Sequence, residues 1–468
     1  MLRGGGFRLS LSHFFDRNKQ NGYNPAMNPY LSHRRALARR LPDGLILLCA
    51  GERLARNADT DYDFRQKSDF LYLTGVEEPG CRLLIDSRRG KHTLFMPRID
   101  NQHRVWLGHV PGPEEARRLY GVSRVAYADT LALELRKARR GYRKIYADKD
   151  SLRIYRQSIR GLKAAPTEAS DALSELRACK NPGELSLIRR ASMITGGAHL
   201  AVMRSLRPGQ YEYEAQAVFE AHCRAAGLKH LAFPTIAAGG VNAAVLHYHG
   251  NDARLRAGDL LLLDAGAECR GYAADITRTM PVSGRFASRQ RDIYSIVLET
   301  QKACIERARP GVVSADLHIF SMTRIAEGLK SLHLLRGDTT GLVENGAVRL
   351  FYPHGLSHMM GLDVHDVAGG RKRRMRNPYK ITIRFVAKLE PGFVVTVEPG
   401  IYFIGALLED PENLRKHKTS VDFARARKYL DFGGVRIEDD ILIRAHGPAL
   451  NLTDVPKEIK DVEAACRR

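Results

Sequence analysis

The stretch LLLLDAGAECRGYAADITRT (residues 260–279) decides how this chain is read. Four consecutive leucines predict a buried strand, yet Asp264 closes the run and Asp275 follows eleven residues later. An aspartate is almost never fully buried unless it is paired or binds a metal. A plain turn is the simplest reading of either one, because Asp favours turns through bonds to its own backbone. Gly266 and Gly271 permit a hairpin that brings the two carboxylates close. At short range two carboxylates repel unless a cation neutralises them.

Further acids and imidazoles recur in similar settings. HGLSHMMGLDVHD (354–366) supplies His354, His358 and His365. VVTVEPGIYF (394–403) ends an apolar strand with Glu398, and GGVRIEDDILI (433–443) plants Glu438 in another. One at a time, each has a bland reading: a lone His is a satisfied polar group, and Glu before Pro-Gly closes a strand. Together, four strand or strand-end acids and a His are too costly to bury without a cation. Carboxylate-rich ligation with one imidazole suits Mn²⁺, Co²⁺, Fe²⁺ or Zn²⁺.

The rest of the composition narrows the class. The 468 residues suffice for two or three domains, and 44% hydrophobic with 27% charged residues is ordinary for a globular chain. No apolar run approaches the ~18 residues of a membrane span. Seven scattered cysteines without a CxxC pair fit reduced thiols in a cytoplasmic compartment and argue against a structural zinc. The net charge of +22 is spread along the chain. Its densest cluster, 371–376, is flanked by Gly369-Gly370 and Asn377-Pro378 and reads as a solvated loop, not a specific nucleic-acid patch. Residues 1–26 carry no acid before Asp16 and no secretory apolar core. They read as an extension ahead of a true start at Met27, with organelle import left open.

Strand and helix signals alternate from about 30 to 150, giving an α/β domain assigned to 27–175. Strands are expected in 41–51, 80–87, 91–98 and 143–150, and helices in 113–121 and 129–141. Asn181-Pro182-Gly183-Glu184 opens a new helix. Helices then precede antiparallel strand pairs, so 176–455 is expected to be an α+β domain, with 456–468 a tail.

These motifs, in this order, resemble the pita-bread metallopeptidase family, in the branch of Xaa-Pro aminopeptidases (aminopeptidase P) and prolidases. RNADTDYDFRQKSDFLYLTGVEEPG (56–80) resembles that branch's creatinase-like N-terminal domain; DAG with DITRT, HGLSH with VHD, VEPG and VRIED resemble its catalytic domain. The resemblance implies two divalent metal ions, Mn²⁺ foremost, held by Asp264, Asp275, His358, Glu398 and Glu438. A metal-bridging hydroxide would then attack the bond before proline. Glu398 would shuttle the proton to the leaving nitrogen, and His247 and His365 would polarise the scissile carbonyl. His354, with the nearby apolar Phe351, Leu356 and Met359, would line the proline pocket, and Arg436 would orient Glu438 or substrate. His249 is given no role. Asp59 and Trp106 resemble N-domain residues that reach a neighbouring site, implying a homodimer or homotetramer acting on proline-containing peptides.

One departure bears on subtype. Prolidases usually carry an Arg where this chain has Ala387, and aminopeptidases P carry one near Phe385. Arg384 stands one residue away as a substitute. Because that Arg grips a dipeptide's carboxylate in prolidases, its displacement favours longer peptides. The insertion 405–432 is more prolidase-like, so a dipeptidase stays as the alternative. A methionine aminopeptidase lacks the N-domain, and a creatinase-like amidinohydrolase should not keep the five-ligand set. A non-catalytic nucleic-acid or histone binder of this fold should have lost its ligands, yet all five positions are filled.

Overall fold

Leu45–Cys49 organises the N-terminal half. All five residues are buried, and alternate side chains serve different cores, as the two-residue period of a strand requires. Ile46 and Leu48 face Leu37, Phe70 and Leu73, whereas Leu45 and Leu47 face Leu131, Leu135 and Ile145. The strand pairs antiparallel with Arg82–Asp86 and parallel with Lys144–Ala147. Lys91–Met96 and Arg124–Tyr127 extend the sheet on one side and Lys163–Ala164 on the other, giving six strands flanked by helices. The helices at Pro113–Tyr120 and Leu131–Ala138 fall where the sequence places them.

The computed structural model describes residues 29–370, 375–379, 383 and 385–467. The extension 1–26 and Met27, residues 371–374 of the basic loop, and Arg384 lie outside them. No helix among the described residues is long and apolar enough to cross a membrane.

Asn181 starts the catalytic half. Its side chain accepts from Gly183 N and Glu184 N, and Glu184 accepts from Asn181 N, a reciprocal cap with Pro182 in the first turn of helix Pro182–Ser205. Helices Glu212–Ala225, Ser288–Arg307 and Ser314–Ser331 surround small antiparallel sheets. In the central one, Leu260–Ala265 lies between Ile236–Gly239 and Ile276–Pro281. Leu261, Leu263 and Ala265 enter the main core, while Leu262 points the other way, toward Ile236 and Tyr402. Asp264 shares the face of Leu262. Gly266 keeps the hairpin tight, since a Cβ there would sit 1.8 Å from Ala274 O.

The same alternation explains a charge that the sequence does not flag. Ile276, Arg278 and Met280 point into the core, and Arg278 is fully buried. Its Nη2 donates to Asp439 Oδ1 at 2.7 Å, while Lys457 reaches Asp439 Oδ2 at 2.5 Å. These partners hold the Asp439 carboxyl well below the usual carboxylate range against the opposing effect of burial. Residues expected to be a tail differ as well: Ile459–Cys466 is a helix whose Val462 and Cys466 enter the main core. Its eight residues are too few to give a clear periodic signal.

Removing Asp439 strands a buried guanidinium. Asp439→Ala is expected to cost about 3–5 kcal/mol in denaturant unfolding, whereas replacing the pair together (Arg278→Met with Asp439→Leu) should cost far less. Equal losses would show that the pair is not the source of the effect.

Candidate metal centre and active site

Two strand pairs and one loop aim acids and imidazoles at one point. Asp264 lies opposite Thr277 in the hairpin register, and Asp275 sits just before Ile276–Pro281. Val394–Val397 pairs antiparallel with Asp439–Leu442, Val397 opposite Asp439, so Glu398 and Glu438 leave the same end of the ladder. His358 is pinned by paired bonds to Thr396, its N donating to Thr396 Oγ1 and Thr396 N to its carbonyl. Ligand atoms of Asp275, His358 and Glu438 lie within 4.8 Å of one another, and all three residues are buried. His358 Nε2 is 3.4 Å from Asp275 Oδ2 and 3.6 Å from Glu398 Oε1.

The residues fit a cation on three counts. His358 Nδ1 lies 3.0 Å from Met359 O, which only accepts, so Nδ1 carries the proton. That leaves Nε2 facing carboxylate oxygens of Asp275 and Glu398, where its lone pair is free to bind a cation shared with them. Asp264 Oδ1 is buried and has no hydrogen-bond partner among the described residues. Finally, burial first and then neighbouring acids push the carboxyls of Asp275 and Glu438 well above their ordinary range. Divalent ions would relieve all three, with Asp264, Asp275, His358, Glu398 and Glu438 as the available donors.

Around these sits a relay that sequence reading only partly anticipates. Arg436 Nη2 donates to Asp264 Oδ2 at 2.6 Å and Nη1 to Tyr402 OH at 2.8 Å. Its link to Glu438 is indirect, since Nε donates to Thr277 Oγ1, which itself donates to Glu438 Oε2 at 2.6 Å. His354 Nδ1 donates to Gly355 O, so its Nε2 accepts from Tyr402 OH at 2.8 Å. Burial foremost, then Arg436, lowers the His354 pKa to about 3, which keeps this ring neutral. Asp440 Oδ2 accepts from Asp275 N at 3.0 Å. Thr277, Tyr402 and Asp440 were missed, although the strand period from Asp275 or Glu398 would have placed Thr277 and Tyr402 on the site face.

His365 stacks edge-on against His358 with ring centroids 4.3 Å apart. His247 is exposed beyond the 3₁₀ turn Gly240–Ala244, close enough to His354 to add to the lowering of its pKa. Asp59 and Trp106 are exposed on the N-terminal half. The apolar neighbours of His354 in sequence do not face a pocket: Phe351, Leu356 and Met359 are at most 1% exposed and pack into two cores. Phe385 and Ala387 are buried too, bound through their backbone to Ser314.

A creatinase-like α/β domain joined to an α+β pita-bread domain, with a carboxylate–imidazole cradle at its centre, defines a two-domain metal-dependent hydrolase. The chain belongs to metallopeptidase family M24, whose model matches residues 186–445, and the aminopeptidase P N-terminal domain matches 30–146. A probable Xaa-Pro aminopeptidase of Colletotrichum graminicola is 36% identical over 431 residues, covering 91% of this chain and 93% of its own. The human Xaa-Pro dipeptidase is 34% identical over 439 residues, covering 90% and 88%. Zinc-substituted Escherichia coli aminopeptidase P in complex with product superposes with a TM-score of 0.81 at 33% identity, over 94% of this chain and 98% of that one.

Because the acids repel when no cation is bound, the metal-stripped double variant Asp275→Asn/Glu438→Gln should melt no lower than the stripped wild type. Adding Mn²⁺ should raise the wild-type Tm, by about 2.7 kcal/mol of stabilisation at a hundredfold excess over Kd, and leave the variant unmoved. A Mn²⁺ shift in the variant would refute this ligand set.

Proposed function

We propose that the protein is an Xaa-Pro aminopeptidase that removes an N-terminal residue preceding proline. The observation that carries this reading is the place of Glu398: Oε2 lies 3.5 Å from His354 Nδ1 and Oε1 3.6 Å from His358 Nε2. One carboxylate thus spans the metal cradle and the histidine assigned to the proline side. Two divalent ions, Mn²⁺ foremost with Co²⁺, Fe²⁺ or Zn²⁺ as alternatives, would be held by Asp264, Asp275, His358, Glu398 and Glu438. When bound they supply Lewis acidity and a water that ionises near neutral pH.

This chain's residues do the rest. Glu398 takes the proton of the attacking water and delivers it to the proline nitrogen, a tertiary amide with no hydrogen of its own. His365 and His247 donate to the scissile carbonyl as charge develops on its oxygen. His354, kept neutral by burial and Arg436 and oriented by Tyr402, flanks the proline ring. Arg436 fixes Asp264 directly and Glu438 through Thr277. An Xaa-Pro dipeptidase is the second reading, favoured by the human relative. It requires a fixed cation beyond the proline, and Ala387 and Phe385 supply none; Arg384 is their neighbour in the sequence.

Exposed apolar side chains of the N-domain support assembly. Trp106 is 76% and Val105 80% exposed on helix Asn101–Leu107, with Leu54 and Tyr62 also open, apolar surface that solvent does not favour. We assign it to a neighbouring copy in a homodimer or homotetramer, bringing Asp59 and Trp106 to that copy's substrate. Reduced thiols at all seven cysteines suit a cytoplasmic setting.

A tripeptide Xaa-Pro-Yaa is expected to exceed the Xaa-Pro dipeptide about tenfold in kcat/KM, or ~1.4 kcal/mol in transition-state stabilisation. Chelation should abolish both activities. A tenfold preference for the dipeptide would make the protein a dipeptidase, and full activity after chelation would remove the metallopeptidase mechanism. Light scattering should find a dimer or tetramer, and Trp106→Ala should lower kcat/KM. A fully active monomer sinks the shared-site arrangement.

A further inference from the structure

Three segments meet away from the metal cradle, and one side chain ties them. Arg65 comes from the N-domain. Its Nε donates to Glu268 Oε2 at 2.6 Å, and its Nη2 donates to Gly271 O at 3.3 Å and to Leu362 O. Its Nη1 donates to Ser68 Oγ at 3.0 Å and to Gln66 O at 3.1 Å. Ser68 Oγ in turn donates to Asp363 Oδ1 at 2.5 Å. Glu268 and Gly271 form the tip of the hairpin whose base carries Asp264 and Asp275. Leu362 and Asp363 lie three and two residues from His365.

The packing at this junction repeats the pattern. Gly271 has φ +86°, and a Cβ there would lie 2.4 Å from Leu71 Cδ2 and 3.0 Å from Leu362 Cδ2. The hairpin and the His365 loop also join directly, Ala273 N donating to Gly361 O at 2.8 Å. A glycine therefore lets the N-domain, the hairpin tip and the loop close on one another, and a five-donor guanidinium fixes the closed arrangement.

We propose that Arg65 is a positioning residue through which the N-domain sets the catalytic geometry of its own chain. It fixes the His365 loop against the hairpin that carries two of the acids. This differs from any contribution of Asp59 and Trp106 to a neighbouring copy. A contact serving only to glue the domains together would alter stability alone. A contact that registers the loop governs how well His365 meets the carbonyl, and a misplacement of this kind lowers turnover more than binding. The kinetic part rests on the Xaa-Pro peptidase reading; the structural part does not.

The test compares full-length wild type with Arg65→Met, Arg65→Lys and Glu268→Gln by amide hydrogen exchange and by kinetics on an Xaa-Pro tripeptide. In Arg65→Met, exchange in 267–273 and 361–366 should quicken about tenfold while the sheet strands 82–96 stay unchanged. Its kcat should fall about tenfold with KM within about twofold. Arg65→Lys, which keeps a bond to Glu268 but not the fork, should fall between. Glu268→Gln, the variant to rely on if Arg65→Met does not fold, should quicken 267–273 alone. Unchanged exchange in both segments, quickening throughout the chain, or kcat at the wild-type level would each overturn the proposal. If the wild type cleaves no Xaa-Pro peptide, the functional reading fails, while the exchange data still decide whether Arg65 registers these segments.

Discussion

The repulsion among buried carboxylates is the constraint on which the catalytic half depends. Asp275 and Glu438 are driven toward the neutral form by burial and by neighbouring acids, so the unliganded site is locally unstable. Only a rigid frame holds such groups together. The frame is made of strands that have apolar residues on one face and site residues on the other. Leu261 and Leu263 anchor the strand that presents Asp264, and Val394–Val397 anchors Glu398. The cost of clustering the acids is offset by the cores behind them, and what the cluster gains is affinity for cations.

The run Glu438-Asp439-Asp440 shows how finely the frame sorts charge. Glu438 enters the site and accepts from Thr277. Asp439 turns into the core, where Arg278 and Lys457 keep it ionised. Asp440 accepts the backbone N–H of Asp275, and burial raises its pKa well above the ordinary value. Three adjacent acids thus have three electrostatic fates, set by which way each side chain leaves the strand. None of this follows from composition, because the three residues are chemically alike.

That contrast marks what was legible in the sequence. LILLC, LLLLDA and VVTVE announce strands because burial on both faces leaves few polar residues to obscure the pattern. The Asn-Pro-Gly-Glu cap fixes a helix start to the residue. The acids and imidazoles of the site stood out because polar groups at the ends of apolar strands need a reason. What remained hidden depends on pairing across the fold. Arg278 looks like any basic residue until Asp439 arrives 161 positions later. Arg436 was read as a partner of Glu438, but the register of Gly400–Tyr402 with Gly434–Arg436 turns its Nη groups to Asp264 and Tyr402. Phe351, Leu356 and Met359 were expected to wall the pocket, and core packing takes them instead.

Specificity follows from the same sorting. A site for proline needs a surface that does not require an N–H from the substrate, and in the proposed reading a neutral His354 beside Tyr402 offers one. A site for a dipeptide also needs a cation where the substrate ends. Phe385 and Ala387 stand at the positions the family resemblance links to that cation, and Ser314 ties both backbones into a buried turn, its hydroxyl donating to Phe385 O and accepting from Ala387 N. Substituting an arginine at 387 would bury an unpaired charge among Leu356, Phe393 and Val395, at a cost of several kcal/mol. The segment's packing therefore opposes a guanidinium at the position prolidases use. Neither Phe385 nor Ala387 supplies a fixed charge for a free carboxylate, which is why the proposed aminopeptidase reading expects a longer peptide that continues past the proline as a neutral amide.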